Sequence, residues 1–283
     1  MNNTATLLIS CPDKKGIVAS VANFLYEHNA NILHADEHQD NENKLFFLRT
    51  EWDLMDFSIN REEFKKLFTQ TAKKFQMDWK IRYSSDKLNV ALFLSKEDHC
   101  LADLLYRYKN NEINFNIKMT ISNYPNAKEL SEFYNIPFYE IPSTDNREKD
   151  EQKILSVLGK SNIDLIILAR YMKIFSPEFI QKFGNPIINI HHSFLPSFVG
   201  ARPYHQAYER GVKIIGATAH YVTAELDQGP IIDQDTLRIS HRDSIENLIQ
   251  KGKDIEKIVL SRAVKSHIED RVLIYGNKTV VFD

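Results

Sequence analysis

From Leu88 onward, short apolar runs alternate with stretches whose apolar residues recur at helical spacing, and this rhythm constrains the fold more than any other feature. Leu88–Leu94 reads as a near-continuous apolar strand and Asp98–Tyr108 as a helix. Ile113–Ile121 is then a strand, Ala127–Tyr134 a helix, and Ile154–Leu158 part of another helix before the apolar strand Leu165–Leu168. Strands alternating with helices predict a Rossmann-like α/β unit with a mostly parallel, doubly wound sheet. Its first turn, Ser95–Cys100, has no glycine and carries Glu97 and Asp98. A phosphate cradle needs close-approaching backbone N–H groups and no carboxylates, so none is expected there. Ser95 and Asp98 read instead as a helix-capping box.

Residues 1–84 follow a different order. Ala5–Ser10 is a short strand, Cys11–Gly16 a turn rich in breakers, and Ile17, Val18, Val21, Phe24 and Leu25 mark a helix ended by Asn29–Asn31. Ile32–Gln39 and Leu45–Trp52 are two strands joined by the polar loop Asp40–Asn43. Phe64, Leu67, Phe68 and Phe75 mark a second helix, and Trp79–Tyr83 a last strand. The order βαββαβ predicts a ferredoxin-like unit. Ser84–Lys87 is a polar break, which divides the chain into 1–84 and 85–283.

Groups of catalytic type concentrate around Pro186–Pro196. Ile187, Ile188 and Ile190 predict a buried strand, along which Asn189 and His191 point to one face. An Asn-x-His pair can equally be a strand end turning into solvent. Its company matters: in an open α/β sheet the loop leaving such a strand, here Ser193–Pro203, borders the ligand crevice. Upstream, a buried strand runs into the mixed apolar and cationic segment Leu168–Pro177, stopped by Ser176-Pro177. Downstream, a helix follows Gly200–His205, and the strand Val212–Val222 carries His220. Asp227 sits in the turn Thr223–Pro230 before the strand Ile231–Ile239. Ser244–Ile268 is a long amphipathic helix, and Leu273–Val281 a hairpin turning at Gly276-Asn277.

Composition narrows the function classes. With 283 residues, 43% of them hydrophobic, the chain can bury one or two cores. A formal charge of -2 and interspersed signs give no broad positive field, so small molecules rather than nucleic acid are the expected partners. Cys11 and Cys100 are too few for a disulfide framework and too far apart for a metal-ligand pair, which fits a reducing cytoplasm. No apolar run of about 18 residues suggests a membrane span, and Asp13, Lys14 and Lys15 interrupt any signal-peptide core.

Ser10–Val18 and the helix behind it resemble the ACT family of amino-acid-sensing domains over residues 1 to 84. The resemblance implies a small amino-acid effector at Asp13, Lys15, Gly16 and Ile17, where Gly16 lets helix N–H groups approach a carboxylate. A glycine there can also be only a turn. The family further implies homo-oligomers through edge-to-edge ACT pairing. Asn189-Ile190-His191, then Ser193-x-Leu195-Pro196, then Glu225-Leu226-Asp227-x-Gly229-Pro230, resemble the folate-dependent formyltransferase fold family from residue 86 onward. Leu168–Pro177 resembles its folate-contact segment. With an ACT-like front unit, Ser95–Cys100 and Thr279–Phe282, the chain is similar to the deformylase branch acting on formyltetrahydrofolate. That branch implies 10-formyltetrahydrofolate as substrate, no tightly bound cofactor, and formate released in balance with purine synthesis. It also implies that Met172, Lys173 and Phe175 flank a pterin ring whose edge the backbone from Val222 to Leu226 reads.

The chemistry can be argued from the groups themselves. Hydrolysis of an N-formyl group puts negative charge on the carbonyl oxygen, and donors such as the Asn189 amide and a protonated His191 are typically worth ~3 kcal/mol each. Asp227 is suited to orient water, accept its proton and support the His191 charge, with His220 orienting Asp227 or water. Alone, Asp227 would read as a turn former. Three rivals stand beside this reading. One is a formyltransferase handing the group to an amine on a phosphorylated acceptor or a tRNA. Another is a metal hydrolase using His191, His192, His205 and Asp227. The last is an amino-acid-responsive binding protein with an inert second unit.

Overall fold

The computed structural model describes residues 3–197 and 202–283, so positions 198–201 of the expected Ser193–Pro203 loop lie outside the described residues. Two compact units emerge. The first comprises Met1–Lys87 together with Glu269–Tyr275 and Thr279–Asp283, and the second Leu88–Ile268 with Gly276–Lys278.

The first unit is built on β1 (Thr4–Pro12), whose alternate residues are buried on both faces. It is followed by α1 (Ile17–Glu27), β2 (Asn31–Asp40), β3 (Leu45–Asp53), α2 (Arg61–Phe75) and β4 (Asp78–Tyr83), in the sheet order β2-β3-β1-β4. Leu7 and Ile9 of β1 and Trp52 of β3 pack with Val21 and Leu25 of α1 and Phe64 and Phe68 of α2. Phe64 stacks on Phe68 with ring centroids 5.3 Å apart, so aromatic side chains fill most of this core. Leu8 and Phe47 point to the other face and are covered by Leu273, Tyr275, Val280 and Phe282 of the terminal hairpin. Arg49 donates to the main-chain carbonyls of Asp270 and Glu269 at 3.1 and 3.2 Å, which fastens that segment to β3. Residues 269–275 and 279–283, counted with the second unit in the 85–283 division, group with the first, where their apolar side chains cover Leu8 and Phe47.

The second unit runs β5 (Asn89–Leu94), α3 (His99–Lys109), β6 (Asn116–Ser122), α4 (Lys128–Phe133), β7 (Phe138–Glu140), α5 (Arg147–Leu158) and β8 (Leu165–Leu168). It continues with α6 (Pro177–Phe183), β9 (Ile187–His191), α7 (Pro203–Glu209), β10 (Ile214–Tyr221), β11 (Ile231–Arg238) and α8 (Ile245–Ile268). The sheet order is β11-β10-β9-β8-β5-β6-β7. From β9 to β7 every pairing is parallel, whereas β10 is antiparallel to both β9 and β11.

Local chemistry departs from expectation at several places. Ser176-Pro177, expected only to stop the mixed segment before it, also starts a helix: Ser176 accepts from Phe179 N at 3.0 Å, and Pro177 needs no partner for its missing N–H at the first helical position. The capping box expected of Ser95 and Asp98 does not form. Asp98 makes no side-chain cap bond, and Ser95 Oγ donates to Asn123 at 2.7 Å while accepting from Met172 N at 3.0 Å. Among the described residues no helix is long and apolar enough to cross a membrane.

Helix α8 packs on β10 and β11, and Gly252 is its point of closest approach to α7, because a Cβ there would run into the Tyr204 ring. Tyr204 cannot swing aside freely, since its hydroxyl donates to Glu256 at 2.5 Å. Gly252→Ala should therefore overpack this contact and cost about 1–3 kcal/mol. Urea unfolding would show it as a lower midpoint at unchanged slope; an unshifted midpoint would mean that α8 relaxes away at no cost.

Candidate active site

Strand alternation puts Asn189 and His191 on one face of β9, and the antiparallel register with β10 places His220 opposite Asn189. Asn189 Nδ2 lies 3.2 Å from His220 Nε2, while His220 Nδ1 lies 3.0 Å from Tyr221 O. A carbonyl can only accept, so the His220 proton belongs on Nδ1 and Nε2 accepts from the Asn189 amide. Burial holds the His220 pKa below its usual value, which keeps the ring neutral. One Asn189 amide hydrogen remains for another acceptor.

The turn after β10 returns Asp227 to this face. Asp227 Oδ2 is 3.3 Å from His191 Nδ1 and Oδ1 is 3.7 Å from His220 Nε2. The backbone of Asp227 is left-handed, with φ 55°, a conformation that Asp and Asn tolerate best among residues with a side chain. Gly229 closes the same turn, and any Cβ there would overlap the carbonyl of Tyr221. Burial opposes ionisation of Asp227, but the hydrogen bond from His191 and the electrostatic pull of the neighbouring imidazoles outweigh it, so its pKa falls below the usual carboxylate value. His191 Nε2 is buried and has no hydrogen-bond partner. That leaves a polar atom for a ligand to satisfy.

These residues line a cavity of about 290 Å³. Met172, Lys173, Phe175, Val222, Leu226 and Asp227 are among its lining residues. Met172 and Leu226 are 56% and 51% exposed, as apolar groups awaiting a flat ligand would be. Phe175 is only 6% exposed and stacks on Phe179 at 4.0 Å, so it supports the cavity wall more than it presents a surface. Val222 N donates to Ile187 O at 2.8 Å, which leaves its carbonyl, not its amide, to read a ring edge. His205 is not among the lining residues, so the four-ligand metal set of His191, His192, His205 and Asp227 does not assemble there.

In the first unit, Gly16 has φ 91° at the start of α1, which carries neither a side-chain cap nor an acidic residue in its first turn. Asp13 accepts from Gln39 at 2.5 Å, and Lys15 is exposed. The Ile17 side chain is 2% exposed within the core, so only its backbone could meet a ligand.

Sequence reasoning missed a second constellation. Glu256, 1% exposed on α8, receives His99 Nε2 at 2.8 Å and the Tyr204 hydroxyl, and lies 3.3 Å from Arg170 Nε. Burial would raise its pKa, but the bond from His99 and the Arg170 charge lower it overall, so the carboxylate is ionised. Burial, then the Arg170 charge, push His192 down to about 3, which keeps it neutral. A signal did exist in the sequence: Glu256 falls on the apolar stripe of α8, with Gly252 and Leu260 one turn to either side. His99, Cys100 and Glu256 bring ligand atoms within 4.8 Å of one another. With a guanidinium and a hydroxyl already on the carboxylate, that set suits a fixed ion pair better than a cation.

Residues 88–264 match the formyl transferase family and residues 5–67 the ACT domain family. A formyltetrahydrofolate deformylase of Synechocystis sp. is 50% identical over 282 residues, 99% of either chain. The crystal structure of a formyltetrahydrofolate deformylase from Pseudomonas syringae pv. tomato superposes with a TM-score of 0.97 at 48% identity, covering 100% of this chain and 95% of that one. A glycinamide ribonucleotide transformylase 1 from Symbiobacterium toebii matches 70% of this chain and 95% of its own, with a TM-score of 0.66 at 27% identity. The match along the whole length, front unit included, is to the deformylases, and the chain belongs to the formyltetrahydrofolate deformylase family.

Proposed function

We propose that the protein hydrolyses 10-formyltetrahydrofolate to tetrahydrofolate and formate at the cavity between β9 and the turn after β10. The observation that carries this is the convergence of Asn189, His191 and Asp227, with His220 orienting the amide, on one apolar-walled cavity. Water oriented by the Asp227 carboxylate attacks the formyl carbon. The Asn189 amide hydrogen and His191 meet the charge that develops on oxygen, and preorganised donors of this kind are typically worth ~3 kcal/mol each. Asp227 stabilises the cationic form of His191 through Nδ1, which leaves Nε2–H to polarise the carbonyl and then to protonate the departing folate nitrogen. Met172 and Leu226 supply apolar surface for the pterin ring, and Lys173 lines the same cavity.

The first unit we assign to regulation and assembly. The uncapped start of α1 beside Gly16 suits the carboxylate of a small amino acid. Strand β2 is an edge strand exposed along nearly its whole length, with Ile32 and Leu33 38% and 37% exposed, as expected of a strand that pairs with a second copy. The buried free thiols Cys11 and Cys100 are in keeping with a reducing compartment such as the cytoplasm.

Formate release from 10-formyltetrahydrofolate should be readily measured and should persist after exhaustive chelation, because amide, imidazole and carboxylate suffice for the steps above. Loss of turnover in chelator that returns with added zinc would overturn this assignment.

Asn189→Ala removes one donor and should lower kcat by ~10²–10³ with folate affinity little changed. Asp227→Asn keeps a residue that tolerates the left-handed turn but removes the proton acceptor, so it should cost more; His191→Ala should be similarly severe. Combining the last two should be hardly worse than either, since groups acting as a unit are non-additive. Single-turnover formate release and folate binding for each variant decide the matter: multiplicative losses would place the base elsewhere.

For the full chain, sedimentation should find an oligomer that Ile32→Lys weakens, and calorimetry should find one common amino acid that binds and that Gly16→Val abolishes. A monomer, or silence across all common amino acids, would strip the front unit of the corresponding role.

A further inference from the structure

In an open α/β sheet the ligand crevice lies at the carboxyl ends of the strands where strand order reverses. Here the reversal is at β5, from which the chain proceeds to β6 and β7 on one side and to β8 and β9 on the other. That crevice is filled by the protein's own groups. Just past β5, Ser95 N donates to the Arg170 carbonyl just past β8 at 3.1 Å, and Ser95 Oγ accepts from Met172 N at 3.0 Å. Beside this stitch, Arg170, His99 and Tyr204 converge on Glu256. Arg170 lines the catalytic cavity, and its Nε lies 3.3 Å from the buried Glu256 carboxylate, so one residue borders both; its Nε and Nη1 are buried without a hydrogen-bond partner among the described residues. A buried ion pair is often no more stabilising than apolar side chains of the same volume. Packing alone therefore does not account for it.

Hydrolysis and transfer ask nearly the same of Asn189, His191 and Asp227. In transfer, an amine nitrogen bonds to the formyl carbon, the bond from that carbon to the folate nitrogen breaks, and the proton lost by the amine ends on the folate nitrogen. With water the same bonds form and break through oxygen, and formate leaves. What separates the two is room for the rest of the acceptor molecule. An amine brings a carbon skeleton, and at neutral pH a positive charge, to a wall already holding a guanidinium.

We propose that the Arg170–Glu256 pair, held by His99 and Tyr204, closes the acceptor side of the cavity and restricts the formyl acceptor to water. This rests on the hydrolytic reading above and names what makes the site hydrolytic. Glu256 and His99 are positioning residues, and Arg170 is the residue that fills the space.

The test offers the full-length protein 10-formyltetrahydrofolate together with glycinamide or glycine methyl ester, and measures the ratio of formylated amine to formate. The wild type and Arg170→Lys, which keeps bulk and charge, should yield formate almost alone. Arg170→Ala, and independently His99→Ala, should raise the formylated share at least tenfold. Calorimetry of glycinamide on each variant saturated with an unreactive folate analogue reports the same space without turnover, and binding is expected in the alanine variants only. Folded, folate-binding alanine variants that neither bind glycinamide nor change the ratio would overturn the proposal, as would a wild type that already formylates the amines. Absence of formate from the wild type would count against the hydrolytic reading itself, while the calorimetry still decides whether Arg170 closes the space.

Discussion

The pairing of β9 with β10 is the constraint on which the site depends. Because the two strands run antiparallel with Asn189 opposite His220, a strand amide and a strand imidazole share one face at 3.2 Å. The turn that leaves β10 then brings Asp227 back within 3.3 Å of His191. A slip of one residue would send Asn189 and His191 to opposite faces from His220. The hydrogen-bond chain has a fixed direction as well. The Tyr221 carbonyl sets the His220 tautomer, and that tautomer turns the Asn189 amide into a donor with one hydrogen to spare.

Asp227 and Glu256 are carboxylates with little-exposed side chains in the second unit, and their partners sort them by task. Both are ionised against the pull of burial. Asp227 faces the imidazoles of His191 and His220, side chains that can donate or accept a proton, whereas Glu256 faces a guanidinium that does not give up its proton. The first arrangement suits proton movement and the second a permanent charge. His192 feels both carboxylates and the Arg170 guanidinium, and it remains neutral because burial dominates.

The same local residues take different roles according to what they meet. Ser95 looked like a cap and became a bridge between Asn123 and Met172, because a hydroxyl at the end of β5 finds better partners across the sheet than along its own turn. Ser176 looked like a stop and became a cap, because the proline after it fits the first turn of α6. Phe175 lines the cavity but spends most of its surface on Phe179 and Tyr171. Such outcomes turn on neighbours that are distant in sequence.

By itself the sequence determined the two architectures and the candidate trio. Period-two and helical patterns are local, and they marked nearly every element of the βαββαβ unit and the alternation after it. Asn189 and His191 were legible because strand alternation fixes their common face, and Asp227 because it sits in the turn of a recognisable motif. Strand β7 was not, since three residues carry too little pattern. Only the tertiary structure packed the terminal hairpin against the first sheet, reversed β10 within an otherwise parallel run, and joined His99 to Glu256 across 157 residues. Each of these is decided by which buried face or buried charge a segment can satisfy, and that depends on the folded surroundings rather than on the neighbours in the chain.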